Sequence, residues 1–324
     1  MKNKVFIVSP ANVATGGTEL LQQLCTCLNG MNIASFMIYT EEYKDSAVLN
    51  RFGKYQNPIA TAGEISIDDT VVIPETRIDL IPKFSKYKLY IWWLSVDNYY
   101  GAKRLSVDVV HKVYYAIKDF RNLSVFHRCQ HLVQSEYARQ FLINEKGVDK
   151  HSIQYLSDYL NHTYLDEVAN AESGNRENNI LYNPKKGIEF TKILMDEIKE
   201  YNWIPLQGFT PEEMRNVMLR SKLYVDFGNH PGKDRIPREA AICGCCIITG
   251  TRGAAQNDFD VRINKEYKFS DINKQLRKIH EVVTDCIENY NERTRDFDVY
   301  RQFIMQEEEA FSKDVYKIFG KSKK

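Results

Sequence analysis

The run 228–239 carries six side chains suited to a charged, hydroxylated ligand: His230, Lys233, Asp234, Arg235, Arg238 and Glu239. A carboxylate at Glu239 can accept two hydrogen bonds from a vicinal diol such as a ribose. Lys233, Arg235 and Arg238 just before it suit a diphosphate. A second basic pair, Lys185 and Lys186, lies in the turn 183–187, where an ammonium and helix N–H groups converge on an anion. In the first half, Asp97 and Asn98 stand beside Tyr99 and Tyr100. Flat rings stack on a sugar, and short polar groups orient it. Gly16 and Gly17, flanked by Thr15 and Thr18, permit unusual backbone and close approach. Each group also has a plainer reading. A first-turn Glu gains roughly 0.3–1 kcal/mol from the helix dipole. The glycines suit a tight turn, the lysines a solvated one, and the Asp97 group the end of a core strand.

The stretch 222–255, KLYVDFGNHPGKDRIPREAAICGCCIITGTRGAA, positions the first set. It predicts an apolar strand at 223–227, a charged loop at 228–236, a short helix, and a second strand at 245–248. Pro237 fits the first helical position, where its missing N–H costs nothing, and Gly244 fits the cap. Glu239 then falls about two residues into the helix. Ile236 takes the cap position, so a capping box is excluded. In such parallel α/β units, ligands sit at the carboxyl ends of the strands, facing helix N-termini.

Upstream, a strand at 180–182 leads through 183–187 into a helix at 188–200. A strand at 203–206 ends in Gly208 and Phe209. Thr210, Pro211 and Glu213 form a capping box with Pro in the first turn, opening a helix to Arg220. In the first half, a strand Val5–Ser9 precedes a helix at 18–29. Further strands are expected at 33–39, 71–74, 89–95, 131–134 and 153–160, and Ser135 caps a helix at 136–146. The region 270–318 reads as mostly helical. Two Asp-x-Asp runs, at Asp258 and Asp296, read as surface turns.

The run 237–244, PREAAICG, with apolar 246–248 and Gly250 after it, resembles the nucleotide-sugar site of retaining GT-B glycosyltransferases of family 4. The resemblance is most specific around Glu239, covers most of the second half, and is weaker in the first. It implies that Glu239 holds the nucleotide ribose. Pro231 stands where the family has an acidic residue near the transferred sugar, leaving His230, Lys233 and Asp234 as candidates for that place. Lys186 and Gly187 match a phosphate-binding Lys-Gly, with Asn183 in place of the usual Gly-Arg. Gly16 and Gly17 correspond to a loop approaching the donor phosphate and acceptor, and Gly208 and Phe209 to backbone against the nucleobase. The implied architecture is α/β: two Rossmann-like domains facing a cleft, with a C-terminal helix crossing back to the first. The apolar spacing of Tyr300, Phe303, Ile304, Phe311, Val315 and Ile318 supplies a face for that helix. The implied reaction moves a sugar from a nucleotide diphosphate donor to a glycan or lipid-linked glycan, in cell-surface polysaccharide synthesis, without a metal or other cofactor. Asp97, His230 and Asp234 are the candidate catalytic groups.

With 324 residues, two domains of ordinary size are expected. The polar run 170–179 is the linker candidate. The divisions are 1–169 for acceptor binding, 170–295 for the nucleotide sugar, and 296–324 for the returning helix. A formal net charge of +1 excludes the footprint of a nucleic-acid binder. Seven cysteines without a regular framework suit a reducing cytosol, and Cys243, Cys245 and Cys246 read as small buried residues. No run is long and apolar enough for a signal peptide or a membrane span. The basic, aromatic stretch 103–131 suits an anionic acceptor, peripheral contact with a membrane's inner face, or a solvated helix face. Two rival functions remain: a non-catalytic nucleotide-sugar or glycan-binding homologue, which Pro231 favours, and a sugar-nucleotide epimerase. The missing GxGxxG and Tyr-x-x-x-Lys count against the epimerase.

Overall fold

The computed structural model describes residues 3–99, 126–165 and 176–320. The basic positions 103–125 and the linker positions 170–175 lie outside the described residues. Contacts divide the chain into two units, Met1–Asp158 with Glu309–Lys324, and Tyr159–Glu308. The divisions therefore fall at 158/159 and 308/309, earlier than residue 169 and later than residue 295. Part of the expected linker is strand, because Glu177–Tyr182 already pairs with its neighbours.

The first unit is built on a parallel sheet of β1 (Val5–Ser9), β2 (Ser35–Tyr39), β3 (Thr70–Pro74), β4 (Lys88–Trp93), β5 (Gln130–Val133) and β6 (Ile153–Tyr155). Its order is β2-β1-β3-β4-β5-β6. β1 and β3 are buried along their whole length, as parallel strands covered on both faces must be. β4 shows the two faces separately. Leu89, Ile91 and Trp93 join one core, while Tyr90 and Trp92 meet Phe319 and Phe311 of the helix Glu307–Phe319 at ring separations of 5.5 and 6.5 Å. Trp93 donates its indole N–H to His131 Nδ1 at 3.0 Å.

The helix Gly16–Gly30 starts two residues before its expected position. Thr18 Oγ1 accepts the Thr15 N–H at 2.8 Å, so the first turn closes over the glycines.

The second unit has its own parallel sheet, ordered β11-β10-β9-β7-β8. Its strands are β7 (Glu177–Tyr182), β8 (Asn202–Pro205), β9 (Ser221–Asp226), β10 (Cys246–Gly250) and β11 (Lys268–Phe269). Thr210 caps the helix Pro211–Arg220 as expected, with Glu213 reaching back to its N–H at 2.8 Å. Burial pushes the Cys243 and Cys245 thiols up to about 12, and all seven cysteines are unbridged.

The expected continuous last helix is two helices, Asp298–Met305 and Glu307–Phe319. Its apolar face is accordingly divided. Tyr300 and Ile304 complete the second unit's core, while Phe311 and Val315 are buried in the first.

Candidate functional site

β7 and β9 are neighbours, but the chain leaves β7 toward β8 on one side and β9 toward β10 on the other. A sheet whose connections diverge in this way opens a crevice outside the carboxyl ends of the two strands. The loop after β7 brings Lys185, Lys186 and Gly187 there, and the loop after β9 brings residues 227–234. The loops touch at Gly187, whose φ is +66° and whose added Cβ would lie 2.4 Å from Gly228 N. A side chain at 187 would force the loops apart, so glycine is required.

The Lys186 ammonium contacts the Asp234 carboxylate and lies 3.8 Å from Asp226 Oδ2. Asp226 ends β9 and accepts from Tyr224 Oη at 2.8 Å and Gly228 N at 2.9 Å. Burial, then the Asp226 charge, raises the Tyr224 hydroxyl well above its ordinary range and keeps it a donor. His230 lies fully buried between the carboxylates, Nε2 3.7 Å from Asp226 Oδ1 and Nδ1 3.4 Å from Asp234 Oδ2. Its backbone bridges to the loop after β10, accepting from Ala254 N at 2.8 Å. Asp226, His230 and Asp234 each offer a ligand atom within 4.8 Å of the others, a spacing a cation can bridge. The Lys186 ammonium already brings positive charge to both carboxylates.

Asp234 stands at the N-cap position of the helix Arg235–Ile242, yet its side chain makes no cap bond because it turns to Lys186. The helix thus opens two residues before Pro237. Proline is tolerated in this first turn because the N–H it lacks would have no partner inside the helix. Glu239 lies one turn in, 6% exposed, with Arg235 Nε 3.4 Å from its Oε1.

Arg238 and Lys233 do not reach the crevice. The Arg238 guanidinium is fully buried and donates to Glu307 Oε2 at 2.7 Å and to the Lys233 carbonyl at 3.1 Å. The Lys233 ammonium lies 2.6 Å from Glu307 Oε1. Their expected place against a diphosphate is corrected: both cations hold the loop to Glu307.

Lys185 is exposed, and its N–H donates to Asn183 Oδ1 at 3.0 Å. Gly208 is exposed after β8 with φ +80°, and Phe209 packs on the second core. In the first unit, Asp97 lies half-buried in the short helix Val96–Tyr99 at the carboxyl end of β4. The first sheet's own divergence lies between β1 and β3. There stand Gly16 and Gly17, and also Glu75, which no sequence motif marked. Glu75 is buried, accepts the Leu94 N–H at 3.0 Å, and is pushed up to about 8 by that burial. Asp226 and Glu307 were missed as well. Asp226 had a readable sign, a carboxylate at the end of an apolar strand. Glu307, inside a run of three glutamates, had none.

No family model matches the sequence, and no curated protein is significantly similar to it. Solved structures are similar over nearly the whole chain. HepE from Anabaena, solved with UDP, aligns at TM-score 0.67 and 10% identity, covering 97% of this chain and 99% of its own. Sucrose-phosphate synthase from Thermosynechococcus elongatus aligns at 0.62 and 13%, covering 98% of each chain. A glycosyltransferase from Rickettsia africae aligns at 0.57 and 12%, covering 98% of this chain and 99% of its own. The neighbours are GT-B proteins, and two parallel sheets with flanking helices give this chain the same α/β fold. No helix among the described residues is long and apolar enough to cross a membrane.

Proposed function

We propose that the protein is a glycosyltransferase that takes a sugar from a nucleotide diphosphate donor. The observation that carries this reading is the convergence of Lys186 and Asp234, at a helix N-terminus, on the crevice outside β7 and β9. In this reading the Lys186 ammonium, helped by Arg235 and Lys185, meets the diphosphate and stabilises it as it leaves, so no metal is needed. Glu239 receives the ribose diol once Arg235 turns to the phosphate. The backbone at Gly208 and Phe209 lies against the nucleobase. Asp234, with 18% of its side chain exposed, faces the transferred sugar. His230, fully buried, acts through Asp234. The shared fold of HepE, which has been solved with UDP-glucose, supports a donor of this class.

The acceptor is a glycan or lipid-linked glycan, met by Asp97 and the Gly16–Gly17 turn, in polysaccharide synthesis on the cytoplasmic side of a membrane. Gly17 has ordinary backbone, and the nearest atom to an added Cβ is Leu94 Cδ1 at 3.5 Å. The fold does not demand glycine there, which leaves close approach of a ligand as its use. Transfer proceeds with retention, readable from the anomeric proton coupling of the product. Incubation with radiolabelled UDP-, GDP-, ADP- and dTDP-sugars tests the whole reading. Release of nucleotide diphosphate supports it, and binding without any turnover favours the non-catalytic homologue that Pro231 suggests. Absence of binding overturns it.

A further inference from the structure

The fold buries the His230 ring fully and, among the described residues, gives neither ring nitrogen a hydrogen-bond partner. What each nitrogen meets instead is a carboxylate. Nε2 lies 3.7 Å from Asp226 Oδ1, and Nδ1 lies 3.4 Å from Asp234 Oδ2. A neutral imidazole carries a proton on one nitrogen and a lone pair on the other, and a carboxylate oxygen only accepts. Whichever tautomer is present, one lone pair faces another until a cation stands between them. A buried acceptor left in that position is a cost to the fold.

The surroundings of the ring supply what a metal site needs. Asp226, His230 and Asp234 each offer one ligand atom within 4.8 Å of the others. Zinc's bonds of about 2.0–2.2 Å set its ligand atoms about 3–4 Å apart. Asp234, with 18% of its side chain exposed, has room to close that difference. Asp226 is already oriented, since its carboxylate accepts from Tyr224 Oη at 2.8 Å and from Gly228 N at 2.9 Å. Outer contacts of this kind aim the carboxylates that ligate metals. The loop after β10 fixes the His230 backbone, which donates to the Arg252 carbonyl at 3.2 Å and accepts from Ala254 N at 2.8 Å. Lys186 is the resident counter-charge. Its ammonium contacts Asp234, stands 3.8 Å from Asp226 and donates to the Asn229 carbonyl at 3.4 Å. Its side chain is 27% exposed, so it can swing toward solvent and open a path into the cluster.

We propose that Asp226, His230 and Asp234 bind a divalent transition-metal ion of zinc's class, and that this ion and the Lys186 ammonium are alternative occupants of the cluster. One ring nitrogen and two carboxylate oxygens suit Zn²⁺ or Co²⁺ better than Mg²⁺, which prefers an all-oxygen shell with several waters. Three protein ligands leave a further position for water. A dication balances both carboxylates by itself, and it gives a bond to the ring lone pair that the ammonium leaves without one. The two cations repel each other and cannot both sit between the same carboxylates. Metal binding therefore releases Lys186 into the crevice. The site stands on the geometry of the loop after β9 and holds whether or not the crevice takes a nucleotide donor.

The test uses the full chain, freed of metal by a chelator and desalted, with the ions alone as probes. Calorimetric titration with Zn²⁺ is expected to show one site that excess Mg²⁺ does not block. His230→Gln is expected to weaken that site about tenfold or more. Lys186→Met is expected to bind Zn²⁺ about tenfold more tightly than the wild type, because the competing ammonium is gone. The visible spectrum of the Co²⁺ complex should report nitrogen and oxygen ligands with no thiolate charge-transfer band, which separates this site from the seven cysteines. Equal Zn²⁺ affinity in the wild type and His230→Gln, a thiolate band, or no binding even to Lys186→Met overturns the proposal. Equal affinity in the wild type and Lys186→Met overturns the exchange between metal and lysine. Should His230→Gln fail to fold, Asp234→Asn, changed at a partly exposed side chain, carries the same comparison. Nucleotide turnover is no part of the readout, so failure here leaves the donor reading intact.

Discussion

Glu307 Oε2 accepts a hydrogen bond from Arg238 Nη1 at 2.7 Å, with both side chains out of solvent. Lys233 shares the same carboxylate. Two cations that sequence reasoning directed at a ligand are spent on tying the loop before the helix Arg235–Ile242 to the start of the helix Glu307–Phe319. Removing one member of a buried ion pair leaves the others charged and unsolvated, which costs about 3–5 kcal/mol. Glu307→Ala is therefore expected to lower the urea midpoint strongly. A midpoint equal to that of the wild type would show that the triad contributes no net stability.

Glu239→Ala is expected to keep the fold and weaken nucleotide binding by roughly 2–4 kcal/mol, the loss of two charge-assisted hydrogen bonds to a diol. That is about 30-fold or more in Kd. A 2′-deoxy donor should lose affinity on the wild type and lose little more on the variant. Equal losses on both proteins would remove the ribose from Glu239.

Lys186→Ala is expected to weaken UDP far more than uridine, because only the former offers phosphates to the ammonium. Parallel losses for the two ligands would point to a disturbed loop instead, since the Lys186 stem also packs against Gly228.

Two buried groups in the first unit make its stability depend on pH in opposite senses. Burial lowers His131 to about 4 from 6.5, so between those values the unfolded chain binds a proton the folded one refuses. Stability from this source falls as pH falls. Burial raises Glu75 to about 8 from 4.5, so the folded state keeps a proton the unfolded chain has lost. Stability from that source falls as pH rises. The slopes oppose each other between about pH 4.5 and 6.5, and Glu75 acts alone from there to about 8. Glu75→Gln should abolish the loss above pH 6.5, a relative gain of roughly 2 kcal/mol by pH 8, and leave the fall below it. Urea titrations at pH 5, 6.5 and 8 read this directly. Matching profiles for the two proteins would mean that Glu75 titrates in its ordinary range.

Much of the fold was legible because its signals are local. Val5–Ser9 is apolar throughout, and Thr210-Pro211 with Glu213 is a self-contained cap; both stand where expected. The start of the helix Arg235–Ile242 was misplaced because Pro237 reads as a first residue, while the competing attraction of Asp234 to Lys186 spans 48 positions of sequence. The same limit hid Glu307, which meets Arg238 across 69 positions. Lys186, Asp226, His230 and Asp234 become one cluster only once β7 and β9 are neighbours, and strand order is not written in any single segment. The division of the apolar face between Ile304 and Phe311 was also beyond sequence, since each half has good helical spacing by itself.

The first unit is assembled from both ends of the described chain, with the second lying between them in sequence. This sets an order of events during synthesis. Tyr159–Glu308 is one continuous segment and can complete its sheet as soon as it has left the ribosome. The first sheet must wait, with Tyr90 and Trp92 uncovered, until Phe311 and Phe319 have been made. A chain cut after Glu308 would hold every residue of the second unit and an unfinished first one. During that interval the exposed face of β4 is the surface a chaperone would find.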